Sequence, residues 1–137
     1  MLFDSNKNKG RAGMSLGVAY FGANGYTVSV PLNDTQWYDF VAEKDGKFYT
    51  VQCKATGSKQ NVIPLKSCGG TRGSKYDVVT EHPLDYLFCV DKDQNLFLIP
   101  VDDIRKIGNK NSLALRTELS KSTRHDRLNV SKYSVAI

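Results

Sequence analysis

The sequence predicts an α/β (α+β) domain built on a mixed or antiparallel central sheet with one long N-terminal helix. Three observations point there: a helix-spaced stretch over residues 9–25, an Asp-Gly turn between two strand-like runs at 37–43 and 47–55, and a second pair of strand runs at 85–90 and 95–100. The 137 residues, 40% apolar and 24% charged, suit a single domain spanning 1–137.

Within residues 9–25, Leu16, Ala19, Tyr20 and Ala23 recur at helical spacing, and Gly25 can take the left-handed conformation that ends a helix. Gly17 and Gly22 lower helix propensity, which makes sense if the helix lies close against another backbone. Residues 26–31 alternate and are β-branched, as a strand requires. Asp45-Gly46 between the next two runs is a hairpin signal, because both residues tolerate positive φ. A short strand is expected at 61–66, then a charged, glycine-rich loop at 67–75. The second hairpin turns at 91–94 and leads into a short helix that Asp102 can cap. Residues 110–116 and 129–137 are two further candidate strands.

Composition narrows the function. No apolar run approaches the roughly 20 residues needed to cross a bilayer, and the N-terminus lacks a signal-like apolar region. Three cysteines without a C-x-x-C pair argue against a disulfide framework or cysteine zinc site, so the cytoplasm is the expected compartment. The net charge of +5 is unevenly spread. Residues 54–75 carry five cations and no carboxylate, residues 76–104 carry seven carboxylates against Lys92, and residues 105–137 carry eight cations against Glu118 and Asp126. Two basic stretches around an acidic one suit a polyanionic partner, although solvated surface has the same composition.

The first hairpin gathers chemistry. With a two-residue turn, Lys44 pairs with Lys47 and Asp39 falls opposite Gln52; Lys54 lies on the face of Gln52, while Tyr49, Val51 and Cys53 point the other way. A carboxylate, an amide oxygen and an ammonium in one patch suit phosphodiester hydrolysis. Magnesium takes hard oxygen ligands, which Asp39, the Gln52 side chain and the Cys53 carbonyl can supply, and manganese can substitute. Lys54 can hold the attacking water and offset charge in the transition state. A solvated polar hairpin uses the same residue types.

These residues in this order resemble the PD-(D/E)XK nuclease superfamily. The resemblance is carried by residues 31–39 ending in Trp37-Tyr38-Asp39, and by Val51-Gln52-Cys53-Lys54 a dozen residues later. More narrowly, the D…QxK site is similar to the branch associated with group I intron homing endonucleases. Supporting context runs over residues 9–100: the first helix ending in Asn24-Gly25-Tyr26, the Gly69-Gly70 loop, and residues 85–88 followed by Leu98-Ile99-Pro100. The resemblance implies a restriction-endonuclease-like αβββαβ core, metal-dependent cleavage of double-stranded DNA and assembly as a homodimer or homotetramer. Many superfamily members also place a glutamate on the first helix. Here no acid lies between Asp4 and Asp34, and the residue after Gly13 is Met14. Asp39 and Gln52 then suffice, or Asp34 or Ser15 contributes, or catalysis is weak. Two other readings fit the same residues: a structure-selective nuclease such as a Holliday-junction resolvase, and a non-catalytic DNA-binding module on a decayed nuclease fold.

For holding DNA, the candidates are Lys59, Lys66, Arg72 and Lys75 in the first basic stretch and Arg124 and Arg127 in the tail. Arg72 is placed to read a guanine edge, since a guanidinium can meet O6 and N7 together. His82 falls in a loop and His125 among charges, and neither has metal-ligand spacing. Trp37 is expected to pack, and Cys53 and Cys89 to serve as small buried apolar groups.

Overall fold

The structure is a computed structural model that describes residues 5–33, 36–68, 75–77, 82–107, 112–117 and 128–137, with the backbone alone at 66–68 and 75–77. Helix α1 (Asn6–Ala23) starts where the Ser5 side chain accepts the Asn8 N–H at 3.1 Å. It ends in a Schellman arrangement: Gly25 N–H reaches Gly22 and Tyr26 N–H reaches Phe21, with Gly25 at φ 84°, the left-handed geometry expected of it.

A six-stranded mixed sheet follows. Its members are β1 (Thr27–Ser29), β2 (Phe40–Lys44), β3 (Lys47–Ala55), β7 (Tyr86–Val90), β8 (Leu96–Pro100) and β10 (Ser134–Val135), adjacent in that order. Only the β3–β7 pair is parallel. The β2–β3 hairpin turns on Asp45 (φ 53°) and Gly46 (φ 79°), the type I′ geometry that Asp-Gly favours, and Lys44 does face Lys47. Two small ribbons lie outside the main sheet: β4 (Val62–Pro64) with β9 (Ser112–Ala114), and β5 (Lys66–Cys68) with β6 (Lys75–Asp77). Helix α2 (Val101–Ile107) follows β8 directly.

The pleat divides the core in two. Phe21 of α1 packs with Phe40, Ala42, Val51, Phe88 and Val90 on one sheet face. On the other face Leu87, Cys89, Phe97 and Ile99 pack with Ile63, Leu65, Ile104 and Leu113 of the ribbon and α2. Cys89 is fully buried and Cys53 half-buried, as their strand phases indicate. Among the described residues no helix is long and apolar enough to cross a membrane.

Several expectations need correction. The inward face of α1 is Ala12, Gly13, Gly17 and Phe21, while Ala19 and Ala23 are exposed. Close approach selects this face: a Cβ on Gly17 would sit 2.7 Å from the Cys53 Sγ, and one on Gly13 would meet Ala55 at 3.5 Å. Gly22, by contrast, faces open space. Asp102 lies inside α2 and pairs with Arg105 rather than capping the helix. Both ends of the expected 67–75 loop belong to the β5–β6 ribbon. The strand expected at 129–137 is shorter, because a 3-10 turn (Ser131–Tyr133) precedes β10. The connection from β3 to β7 holds short strands among its described residues, where an αβββαβ order would place a helix.

Candidate active site

Strand β3 outruns its partner. The last β2–β3 pair is Phe40 with Val51, yet β3 continues to Ala55, so its last residues have no β2 neighbour. At this point the register slips: the Asp39 N–H donates to the Val51 carbonyl at 2.8 Å, so Asp39 and Phe40 both address Val51, a one-residue bulge. The expected Asp39–Gln52 opposition is therefore replaced. Residues 36–39 leave the sheet, with the Trp37 ring stacked on His82 (centroids 5.1 Å apart, planes 2° apart) and edge-on to Tyr38. The packing role expected for Trp37 is the one observed.

The slip aims the Asp39 carboxylate at β3, where its Oδ2 accepts the Cys53 N–H at 2.6 Å. Successive peptide groups of a strand face opposite edges, so the Cys53 carbonyl faces this same edge. Burial raises the Asp39 pKa above its ordinary 3.8, against the pull of the Cys53 N–H and the Lys54 ammonium. Asp39 also lines a cavity of about 200 Å³ with Pro31, Asn33, Gln36 and Tyr38.

Gln52 is 6% exposed. Its Nε2 donates to the Trp37 carbonyl at 3.5 Å, and its Oε1 has no hydrogen-bond partner among the described residues. A buried acceptor left unpaired costs about 1–3 kcal/mol, so it is suited to a ligand that brings a positive charge. Lys54 lies two residues on, on the Gln52 face, as the register partners Leu87 and Cys89 confirm. Cys53 points to α1, and its thiol is pushed well above its ordinary pKa by burial, with the charge of Asp39 adding to this. Burial takes Cys89 to about 12. Neither thiol is poised as a nucleophile.

The structure thus brings Asp39, Cys53, Gln52 and Lys54 to one end of β3. A model of the PD-(D/E)XK endonucleases matches residues 5–135. The chain belongs to the PD-(D/E)XK endonuclease family. A solved structure, that of the bacterial homing endonuclease I-Ssp6803I, superimposes with a TM-score of 0.69 at 21% identity, over 95% of this chain and 88% of that one. That likeness shows a shared restriction-endonuclease-like fold. No curated protein matches.

In this member of the PD-(D/E)XK endonuclease family the first helix carries no acid. Met14 is half-buried in the core beneath α1, and Ser15 is exposed on the far side from Gly13 and Gly17. Among the described residues no three His, Cys, Asp or Glu side chains gather. Lys59 is exposed in a turn after β3. Lys66 and Lys75 sit at opposite ends of the β5–β6 ribbon in register, Lys66 across from Asp77 and Lys75 across from Cys68. Asp34, Arg72, Arg124, His125 and Arg127 lie outside the described residues. Sequence reasoning did not single out the carbonyl of Trp37 as the Gln52 partner. Its only trace was an aromatic residue two positions before the acid.

Proposed function

We propose that the protein is a divalent-metal-dependent endonuclease of double-stranded DNA, of the site-specific homing type. The observation that carries this is the buried Gln52 Oε1, without a hydrogen-bond partner among the described residues, beside the Asp39–Cys53 contact, an oxygen donor set that fits a hard cation. Asp39, Gln52 and the Cys53 carbonyl would hold the ion, magnesium by preference and manganese in its place. Once bound, it supplies Lewis acidity toward the phosphate and acidifies a water.

The chain's own groups do the rest. The Cys53 N–H orients the Asp39 carboxylate. The Trp37 carbonyl holds the Gln52 amide so that its oxygen, not its nitrogen, is left for the cation. Lys54 directs the attacking oxygen and offsets the charge that builds on phosphate, an effect that is largest where bulk water is excluded. With one such site per chain, cutting both strands calls for two copies, so a homodimer or homotetramer is part of the proposal.

Incubation with supercoiled plasmid and magnesium should give linear or nicked product, and EDTA should prevent it. Asp39→Ala should abolish cleavage while keeping DNA affinity intact or slightly raised. Full activity in that variant would remove the assignment. DNA binding by the wild type without any cleavage would favour a non-catalytic module, and preferential cutting of four-way junctions a resolvase.

A further inference from the structure

A groove of about 700 Å³ opens along the part of β3 that β2 leaves uncovered, between the start of α1 and β4. Lys9, Lys54, Thr56, Ser58 and Pro64 line it, and among the described residues no carboxylate does. Lys9 is half-buried there, whereas Lys7 and Asn8 before it are exposed. Ser58 supplies the more specific clue. Thr56 Oγ1 accepts the Ser58 N–H and donates its own hydrogen to Ser58 Oγ (3.1 Å each), and the Val62 N–H donates to Ser58 Oγ as well, at 3.1 Å. Both acceptor positions of that hydroxyl are taken, so what Ser58 has left to offer is a proton. The alternation of peptide groups turns the Ala55 N–H toward the same uncovered edge as Cys53. A half-buried lysine, a hydroxyl proton and an edge N–H, with no acid among the described residues that line the groove, describe an oxyanion seat.

We infer that this groove seats a backbone phosphate of the DNA strand, next to the scissile one, between Lys9 and the Ser58 hydroxyl. The inference rests on the nuclease reading above, and it adds Lys9 as a positioning residue that sets the path of the strand past Lys54. A free phosphate or mononucleotide has the same chemistry, so the test must tell the two sources apart.

The test measures anisotropy of a short fluorescein-labelled duplex against the full-length protein in EDTA over a salt series. Losing one phosphate contact should flatten the slope of log affinity against log salt by about 0.9, which at 0.1 M salt is about an eightfold loss. Lys9→Gln should show that change and Lys9→Arg should not. Lys47→Gln, at the opposite end of β3, should leave slope and affinity as they were. An unchanged slope in Lys9→Gln, or an equal change in Lys47→Gln, overturns the seat. So does inorganic phosphate raising the melting temperature of the wild type but not of Lys9→Gln while their DNA slopes coincide, since the groove would then serve the free ion. Because EDTA prevents cleavage, the assay is independent of the catalytic reading. A wild type that binds with the expected slope but never cuts sinks the catalysis alone, whereas one that cuts with no Lys9 effect sinks the groove alone.

Discussion

Asp39 is under two opposed demands: burial favours its neutral form, while the Cys53 N–H and Lys54 favour the carboxylate. The balance lies on the side of a raised pKa, and the sign of its consequence is fixed. A carboxyl with a folded pKa above its unfolded 3.8 adds stability that is present below 3.8 and is lost as pH rises through the folded value. In EDTA at neutral pH, Asp39→Asn should therefore be more stable than the wild type, and the difference should shrink as pH falls toward 3.8. Denaturant unfolding across pH measures it, and a less stable Asp39→Asn at pH 7 would contradict the burial argument. Lys54→Met should push the Asp39 pKa higher still, visible in the pH dependence of the Asp39 carboxyl carbon by NMR. It should also move the acid limb of manganese binding to higher pH. Gln52→Glu adds a second acid where an unpaired oxygen already stands, so it should tighten manganese binding; weaker binding would mean that the Gln52 oxygen is not a ligand.

At the scale of elements, the contact between α1 and β3 can be tested by two glycines in different surroundings. Gly17→Ala must displace the Cys53 Sγ or the rings of Phe88 and Phe40, and should destabilise by about 1–3 kcal/mol. Gly22→Ala meets nothing and should gain helix stability, about 0.5–1 kcal/mol. Thermal unfolding of the two variants should move in opposite directions. Adding Cys53→Ala to Gly17→Ala should recover part of the loss, since it removes the nearest atom while keeping the backbone N–H that Asp39 uses. These glycines also show what could be read from sequence. The Asp45-Gly46 turn was readable because its chemistry is local: two consecutive residues at positive φ have few solutions, and the hairpin register as far as Phe40 follows from them. The buried face of α1 was not, because apolar spacing ranks side chains by hydrophobicity. Here the contact was decided by the absence of side chains at Gly13 and Gly17. The slip at Asp39 was equally hidden, since residues 36–39 there leave the hairpin for contacts far along the chain, such as the stack of Trp37 on His82.

For the whole molecule, what matters is where the charges are spent. Among the described residues the acidic stretch is largely engaged internally. Asp85 accepts the Thr50 N–H, Asp91 holds its own turn through Asp93 and Asn95, Asp102 meets Arg105, and Asp103 accepts the Tyr133 hydroxyl with Lys106 close by. The Tyr133 contact also holds Asp103 below its ordinary pKa. Asp85 and Asp91 are turned to backbone donors, whereas Asp102 and Asp103 each offset a cation of the 105–137 stretch, Arg105 and Lys106, which makes residues 54–75 the stronger candidate for meeting a polyanion. If 54–75 forms part of a DNA interface, cations in it should fall into two kinds. Lys66→Gln and Lys75→Gln should weaken every DNA sequence alike and flatten the salt slope by about 0.9 each, because a phosphate contact carries no sequence information. Arg72→Ala should instead relax the preference at one base pair, at a cost of about 1–3 kcal/mol for that base, because a guanidinium that meets a guanine edge loses a paired contact that other bases never offered. Cleavage of a library randomised around the cut site separates the two behaviours. An even loss over all sequences for Arg72→Ala would make it one more backbone contact, and the determinants of site choice would then have to lie elsewhere, with Asn33 and Gln36, which line the cavity beside Asp39, as amides of the type that reads adenine.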